Sequence, residues 1–148
     1  MITRGSYCLC VRVKEEIEIR VGAIGTLSFP RGLYIYVGSA MNSLKPRLAR
    51  HLRTNSGEGR AIKWHIDYLL SHPATRIEEI YAVEGAVKRE CEIAAEVAEM
   101  GEPVPRFGSS DCRCRSHLYR VEDCRFLEKM GLKKRDIGEP LTSSPAQL

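Results

Sequence analysis

The sequence lacks any long apolar run. No segment of the 148 residues approaches the roughly 18 consecutive apolar residues that a membrane-spanning helix requires. The amino end, MITRGSYCLCVRV, also lacks the basic and apolar regions of a secretory signal peptide. These absences exclude a helical membrane protein, and they predict a cytoplasmic protein without a membrane partner.

Internal repeats and long low-complexity segments are absent as well, which excludes a repeat architecture. A chain of 148 residues fits one domain, and we predict it over residues 1–136. Residues 137–148, IGEPLTSSPAQL, are rich in Pro and Ser and are predicted to form a flexible tail.

Charge is nearly balanced. The chain has 23 Lys and Arg against 19 Asp and Glu, which gives a formal net charge of +4 and an isoelectric point near 8.8. This excess weakly favours a polyanionic partner such as a nucleic acid.

Six cysteines need an explanation. In a protein predicted to be cytoplasmic, reduced thiols are expected rather than a disulfide framework, and Cys8 and Cys10 are expected to be small buried residues of one strand face. Near the carboxyl end, thirteen residues contain enough ligands for one zinc ion, namely Cys112, Cys114, His117 and Cys124. Their C-x-C spacing differs from the C-x₂-C spacing of structural zinc sites, so packing of reduced cysteines ranks ahead of zinc, with redox chemistry third.

Hydrophobic periodicity predicts an α+β domain. Residues 6–13 alternate as a strand, residues 14–31 contain glycines and Pro30 and predict an inserted hairpin, and residues 32–39 form another strand. A helix with leucines four apart follows, then a helix over 61–71, a strand over 76–85 and a helix over 86–101. The final basic segment predicts a short helix.

Two pairs of basic residues lie on different sides of the first helix. At about 100° per residue, Arg50 and Arg53 lie opposite the leucine stripe, where they form a solvated face or attract phosphate diffusely. Arg47 and His51 lie together on one flank. Taken alone, they are either a boundary arginine with a partly buried histidine or a pair that points into a cleft.

The combination of GSY at 5–7, YVG at 36–38, and the Arg47 and His51 pair resembles the GIY-YIG nuclease superfamily. The resemblance extends from Gly5 to Val97. It implies a small, mixed or antiparallel three-stranded sheet flanked by helices, with an inserted hairpin after the first strand. The chain departs from the family pattern in having Ser6 and a long gap between the motifs. That insertion, together with FGSSDCRCRSHLY, resembles the Uri-type branch, a small stand-alone domain.

The resemblance also implies a metal-dependent endonuclease acting on nucleic acid, with DNA favoured over RNA. Tyr7 would be the general base or orient the water, with Tyr36 as its partner. One Mg²⁺ or Mn²⁺ would be held by Glu90, whose following Ile-Ala pair fits the family better than that of the alternative, Glu92. The remaining residues assigned a role are Arg47 as phosphate ligand, His51 as hydrogen-bonding or proton-shuttling group, and Arg50, Arg53, Arg60, Lys63 and His65 as nucleic-acid contacts.

Two other functions remain open at this point. The altered first motif and the inserted hairpin are compatible with a non-catalytic nucleic-acid-binding module on the same fold. The cysteine-rich end is compatible with a Cys/His metal-binding or redox protein. The sequence does not specify the oligomeric state, the substrate structure or the pathway.

Overall fold

The computed structural model describes residues 3–59, 61–109 and 114–135. Arg60, Cys112 and the predicted tail therefore lie outside the described residues. The strands are β1 Gly5–Val13, β2 Ile17–Val21, β3 Gly25–Phe29, β4 Gly32–Ala40, β5 Thr75–Glu84, β6 Glu102–Pro103, β7 Leu118–Val121 and β8 Lys133–Arg135. The helices are α1 Leu44–Ser56, α2 His65–Leu70, α3 Glu90–Val97 and α4 Phe126–Lys129. Within these ranges, no helix combines the length and the apolar composition that crossing a bilayer requires.

The main sheet confirms the predicted α+β class and corrects its size. Its strand order is β6-β7-β4-β1-β5-β8, and the neighbouring strands are antiparallel. Among the residues that the structure describes, this sheet has six strands where three were expected. The additional strands β6, β7 and β8 have 2, 4 and 3 residues, too few for alternation to be recognised in the sequence.

The predicted insertion contains a separate two-stranded hairpin. Strands β2 and β3 pair antiparallel from Ile17 opposite Phe29 to Val21 opposite Gly25. The connecting turn includes Gly22 and Gly25 at φ of +48° and +100°, a conformation that glycine adopts without steric penalty. Val21 and Phe29 are buried in the same core as α1 and α2, so the hairpin covers part of one sheet face.

The central strand β1 is buried on both faces. Tyr7, Leu9 and Val11 point to the core shared with α1 and α2, as their alternation predicts. Cys8 and Cys10 point to a second core, which α3 and α4 cover. Helices on both sides thus hold β1 in a fixed position.

Register places the two tyrosine motifs side by side. Tyr7 lies opposite Gly38 and Leu9 lies opposite Tyr36 on β4, so the two phenols are diagonal neighbours on one face. Their ring centroids are 6.5 Å apart. Leu44 and Leu48 of α1 are fully buried against this face, which brings the flank of α1 over the tyrosines.

Cys10 and Cys124 form a disulfide, so the expectation that all six cysteines are reduced is wrong for this pair. Their Cα atoms lie 6.6 Å apart because β7, which precedes Cys124, pairs with β4 next to β1. The two cysteines are 114 residues apart in the sequence, so no local sequence pattern predicts that they lie close together. Cys8 is a buried thiol, as expected.

Candidate active site

A small polar cleft of about 280 Å³ opens where β1, β4, α1 and α3 approach one another. Its lining brings together four of the five predicted catalytic side chains, and the fifth, His51, lies directly behind one of them. The lining residues are Tyr7, Tyr36, Gly38, Ser39, Arg47, Lys63, Trp64, His65, Lys88, Glu90 and Gly108.

Tyr7 and His51 form a buried pair at the base of this cleft. The Tyr7 hydroxyl lies 2.7 Å from His51 Nε2. Burial lowers the pKa of His51 to about 3, so the imidazole is neutral at physiological pH. Burial also raises the pKa of Tyr7 to about 12, against the lowering effect of Arg47, so the phenol keeps its proton. A neutral phenol beside a neutral imidazole allows the hydroxyl to donate to Nε2.

The other ring nitrogen of His51 is isolated. Nδ1 is buried and has no hydrogen-bond partner among the described residues. A buried polar atom without a partner is costly, which indicates that this histidine is kept for its Nε2 contact with Tyr7. The sequence placed His51 at the core boundary, whereas the structure buries it completely, because Trp64 and Tyr36 cover the ring.

Tyr36 forms part of the cleft wall. Its ring lies edge-on to His51 at 6.1 Å and to Phe107 at 6.5 Å between centroids. Burial raises the pKa of Tyr36 well above its ordinary value, and the neighbouring Tyr7 adds to the effect. Tyr36 is thus a neutral phenol that supports the Tyr7 and His51 pair.

The glycines of the two motifs make room for these contacts. A Cβ atom at Gly38 would lie 2.6 Å from Cζ and Oη of Tyr7, so only glycine lets the phenol lie across β4. A Cβ atom at Gly5 would collide with the carbonyl oxygen of Val83 on β5. Gly38 is therefore required by close packing against Tyr7, and Gly5 by the close approach of β5.

Arg47 is anchored at one end and faces the cleft at the other. Its Nη1 donates to the backbone carbonyl of Ser39 at 3.0 Å. Its guanidinium lies over the Trp64 ring, 4.5 Å from the centroid. These two contacts fix the planar group and leave further N–H donors for an anion in the cleft.

Arg50, which was predicted as a nucleic-acid contact, has a structural role in the fold. Nη1 and Nη2 donate to the two carboxylate oxygens of Asp67 at 3.0 Å each, and Asp67 is fully buried. Burial opposes ionisation of Asp67, but hydrogen bonds from Arg50 and from the backbone N–H groups of Trp64 and Lys63 lower its pKa overall. This ion pair fastens the start of α2 to α1.

Three cations surround the Trp64 ring, which sequence reasoning did not single out. The cationic groups of Arg47, Arg50 and Lys63 lie 4.5, 4.4 and 4.7 Å from its centroid. Trp64 is the sole tryptophan of the chain and lies directly before α2, and this position was the one sequence feature that could have drawn attention to it. The ring concentrates positive charge at the cleft rim.

Glu90 begins α3 and faces the cleft, whereas Glu92 does not line it. The Glu92 side chain is 59% exposed and pairs with Arg89 at 3.1 Å. The Glu90 side chain is 24% exposed, and its Oε2 lies 3.6 Å from His117 Nδ1. The structure therefore favours the first of the two sequence alternatives.

Ser6, the departure from the family motif, helps to place Glu90. Its Oγ accepts the backbone N–H of Arg89 at 3.0 Å and lies 2.9 Å from Ser39 Oγ. Arg89 directly precedes α3. The serine thus links β1, β4 and the start of α3, which an aliphatic side chain cannot do.

The other predicted nucleic-acid contacts separate into two groups. Lys63 and His65 line the cleft, and His65 Nδ1 accepts the backbone N–H of Gly108 at 2.8 Å. Arg53 is exposed on another surface, beside Asn55, because it follows Arg47 by six residues and points away from that flank. Lys88 lines the cleft and was not predicted.

The predicted zinc ligands do not meet as proposed. Cys124 is bonded to Cys10 on the face covered by α4. Cys114 and His117 instead approach Cys91 of α3, which was not in the predicted set. Cys112 lies outside the described residues.

The cleft suits a hard divalent cation. Among the described residues that line it, Glu90 is the only carboxylate. Mg²⁺ is commonly held by one or two carboxylates together with water and substrate phosphate, so this single oxygen ligand beside an anion-binding arginine fits the ion.

Comparison with known proteins places the chain in a family. Neither the curated proteins nor the solved structures include a significant match. The profile described as "Domain of unknown function DUF123" matches residues 6–136, which is most of the chain. DUF123 is a GIY-YIG-like family of unknown function. With the match covering the tyrosines of both motifs, the arginine and histidine of α1 and the glutamate of α3, this chain belongs to the DUF123 family.

Proposed function

We propose that this protein is a metal-dependent endonuclease that hydrolyses phosphodiester bonds of nucleic acid. One observation carries the proposal: a buried tyrosine and histidine pair, an anchored arginine and a single carboxylate converge on one small cleft, although they come from the three separate elements β1, α1 and α3. Water activation, phosphate binding and metal binding are the three requirements of this reaction.

Tyr7 and His51 supply a route for the proton of the attacking water. The Tyr7 oxygen accepts a proton from water as its own proton moves to His51 Nε2, 2.7 Å away. The water oxygen forms the new bond to phosphorus, and the bond from phosphorus to the leaving oxygen breaks. The buried imidazole has a pKa of about 3, so it holds the proton only briefly and returns it through Tyr7 to solvent or product.

Arg47 binds the phosphoryl group. Its guanidinium remains charged and offers donors in a planar array that matches two phosphate oxygens. Its positive charge also favours the ionised form of Tyr7, which offsets part of the effect of burial. The arginine therefore acts on both the substrate and the proton acceptor.

Glu90 would hold Mg²⁺ or Mn²⁺. When bound, such an ion neutralises charge on the phosphoryl and leaving oxygens. Glu90 is the first residue of α3, and its position is fixed from the sheet side by Ser6 and from the other side by His117. Lys63, Lys88 and His65 at the rim are suited to the flanking phosphates, with DNA favoured over RNA.

Within the GIY-YIG-like families, we assign the chain to the Uri-type branch. The β2–β3 hairpin between the two motifs and the cysteine-rich segment before β7 support this assignment.

A nucleic-acid-binding module without catalysis is the second candidate. The observation in its favour is that burial raises the pKa of both Tyr7 and Tyr36, which opposes their action as bases. Such a module would show salt-dependent binding without cleavage on every substrate.

A cleavage screen with a matched tyrosine pair separates the two. Duplex, single-stranded, flap and branched DNA and RNA are incubated with Mg²⁺ or Mn²⁺, and the best substrate is used for variants. Tyr7→Phe should lose at least about a hundred-fold in rate, within the range that general acid–base groups contribute. Tyr34→Phe is the control, since its hydroxyl bonds to the Pro30 carbonyl and does not line the cleft. Equal rates in both variants, or no cleavage by the parent, would reject the catalytic proposal.

A further inference from the structure

A second group of potential ligands lies behind the cleft. Cys91 belongs to the first turn of α3, and Cys114 and His117 belong to the segment that leads into β7. Their ligand atoms all lie within 4.8 Å of one another, and Cys91 Sγ is 3.9 Å from His117 Nε2. Residues from two distant parts of the chain thus converge with two sulfur atoms and one nitrogen.

The distances between these three ligand atoms are close to the distances between ligand atoms in a tetrahedral zinc site. With Zn–S distances of about 2.3 Å and Zn–N distances of about 2.0–2.1 Å, tetrahedral ligand atoms lie roughly 3.5–3.8 Å apart. The observed separations exceed this range by about 1 Å or less. Cys91 is exposed, so its side chain has room to change rotamer and move its Sγ toward the other two ligands.

We propose that Cys91, Cys114 and His117 bind one zinc ion, with a solvent molecule or an additional ligand completing the tetrahedron. Two thiolates and an imidazole select a borderline or soft metal over Mg²⁺, which prefers oxygen ligands. This site is therefore chemically distinct from the oxygen-ligand site at Glu90, and it does not depend on the nuclease proposal.

His117 has the surroundings of a metal ligand. The residue is buried, with Nε2 toward Cys91 and Nδ1 3.6 Å from the Glu90 carboxylate. Histidines that bind a metal through one nitrogen commonly direct the other toward a carboxylate, which sets the tautomer and the ring orientation. The same arrangement would connect the zinc site to the position of Glu90.

A bound ion at this place would join α3 to β7. Cys91 directly follows Glu90, and Cys114 and His117 are on the neighbouring chain segment. Fixing the three ligands would hold the first turn of α3 against the segment that leads into β7. The ion would therefore order the element that carries Glu90 without entering the cleft.

Cobalt titration tests the site independently of nuclease activity. The full chain is reduced with a phosphine, freed of metal with a chelator, and titrated with Co²⁺, whose thiolate complexes have a charge-transfer absorption band. Zn²⁺ is then added as competitor. The expected result is about one equivalent of Co²⁺ with this band, displaced by one equivalent of Zn²⁺.

One ligand variant and one control variant test the assignment. Cys91→Ser should weaken Co²⁺ binding at least about ten-fold and reduce the thiolate band, and it should still fold because Cys91 is exposed. Cys124→Ala is the matched control, because it removes a cysteine of the sequence-predicted set that the structure places with Cys10. Its metal binding should equal that of the parent.

Other outcomes overturn the assignment. Parent protein that binds no Co²⁺, or Cys91→Ser protein that binds it as tightly as the parent, rejects the site. Loss of binding in Cys124→Ala with retention in Cys91→Ser would place the metal at the other cysteine pair.

Discussion

At the scale of single residues, Arg47 gives the clearest test of the proposed function of the cleft. Its contacts with the Ser39 carbonyl and the Trp64 ring lie at the edge of the core. Replacement by lysine keeps the charge but loses the planar array of donors. The Arg47→Lys substitution therefore tests whether Arg47 orients a phosphate group or is needed for the fold.

We expect Arg47→Lys to fold and to cleave at least about ten-fold more slowly, equivalent to about 1.4 kcal/mol of transition-state stabilisation. Its thermal midpoint should fall by about 2–4 °C for a loss of about 1 kcal/mol. Melting curves and cleavage rates are compared with those of Arg53→Lys, which lies outside the cleft and should match the parent. An unfolded Arg47→Lys protein would make Arg47 structural, and a parental rate would remove it from the mechanism.

His51 gives the protein a pH-dependent stability. Burial lowers its pKa to about 3, from 6.5 in the unfolded chain, so the unfolded state binds the additional proton between these values. The effects of nearby charges on the pKa of His51 partly cancel, since Asp67 raises this pKa while Arg47 and Arg50 lower it. Stability from this residue is complete above pH 6.5 and falls as the pH decreases.

Urea unfolding at pH 7 and pH 5 measures this effect. His51 should account for about 2 kcal/mol of the stability lost between the two values. His51→Gln should be less stable at pH 7 but should lose about 2 kcal/mol less on acidification. An unchanged pH slope would show that the histidine is not buried in its neutral form.

At the scale of elements, α2 depends on one buried ion pair. Asp67 accepts hydrogen bonds from Arg50 and from the backbone of Lys63 and Trp64, which together begin α2 and attach it to α1. Trp64 and His65 enter the cleft from this corner. The geometry of the rim is therefore set by a carboxylate that does not itself line the cleft.

Asp67→Asn should reduce the free energy of unfolding by about 3 kcal/mol, the lower end for a broken buried pair, since Arg50 is partly exposed. Glu78→Gln is the control, because it weakens a surface pair with Arg12 and should cost less than about 1 kcal/mol. Both values come from urea denaturation. Equal losses in the two variants would contradict the structural role of Asp67.

The boundaries of α2 and α3 show what local patterns can and cannot predict. Both helices exist as predicted, but they begin at His65 and Glu90, four residues later than expected in each case. Asp67 at the third helical position was a readable start signal for α2. Its pairing with Arg50, 17 residues away, is a tertiary contact without a sequence pattern.

For the whole molecule, the sequence predicted the local parts of the site better than their surroundings. The resemblance to the GIY-YIG superfamily selected Tyr7, Tyr36, Arg47 and Glu90, all of which line one cleft. The disulfide and the Cys91 cluster were missed, because strands β4 and β7 bring together segments that are far apart in the chain. Cys91 is an exposed residue of α3, and nothing in the neighbouring sequence marked it as a metal ligand.

The carboxylate pair of α3 offers the most direct test of the central claim. Glu90 and Glu92 are two residues apart on one helix, but the structure directs only Glu90 into the cleft. Cleavage of the best substrate with saturating Mn²⁺ is measured for Glu90→Gln and Glu92→Gln. We expect Glu90→Gln to lose at least about a hundred-fold in rate and Glu92→Gln to cleave like the parent. Full activity in Glu90→Gln, or equal losses in both variants, would contradict the central claim.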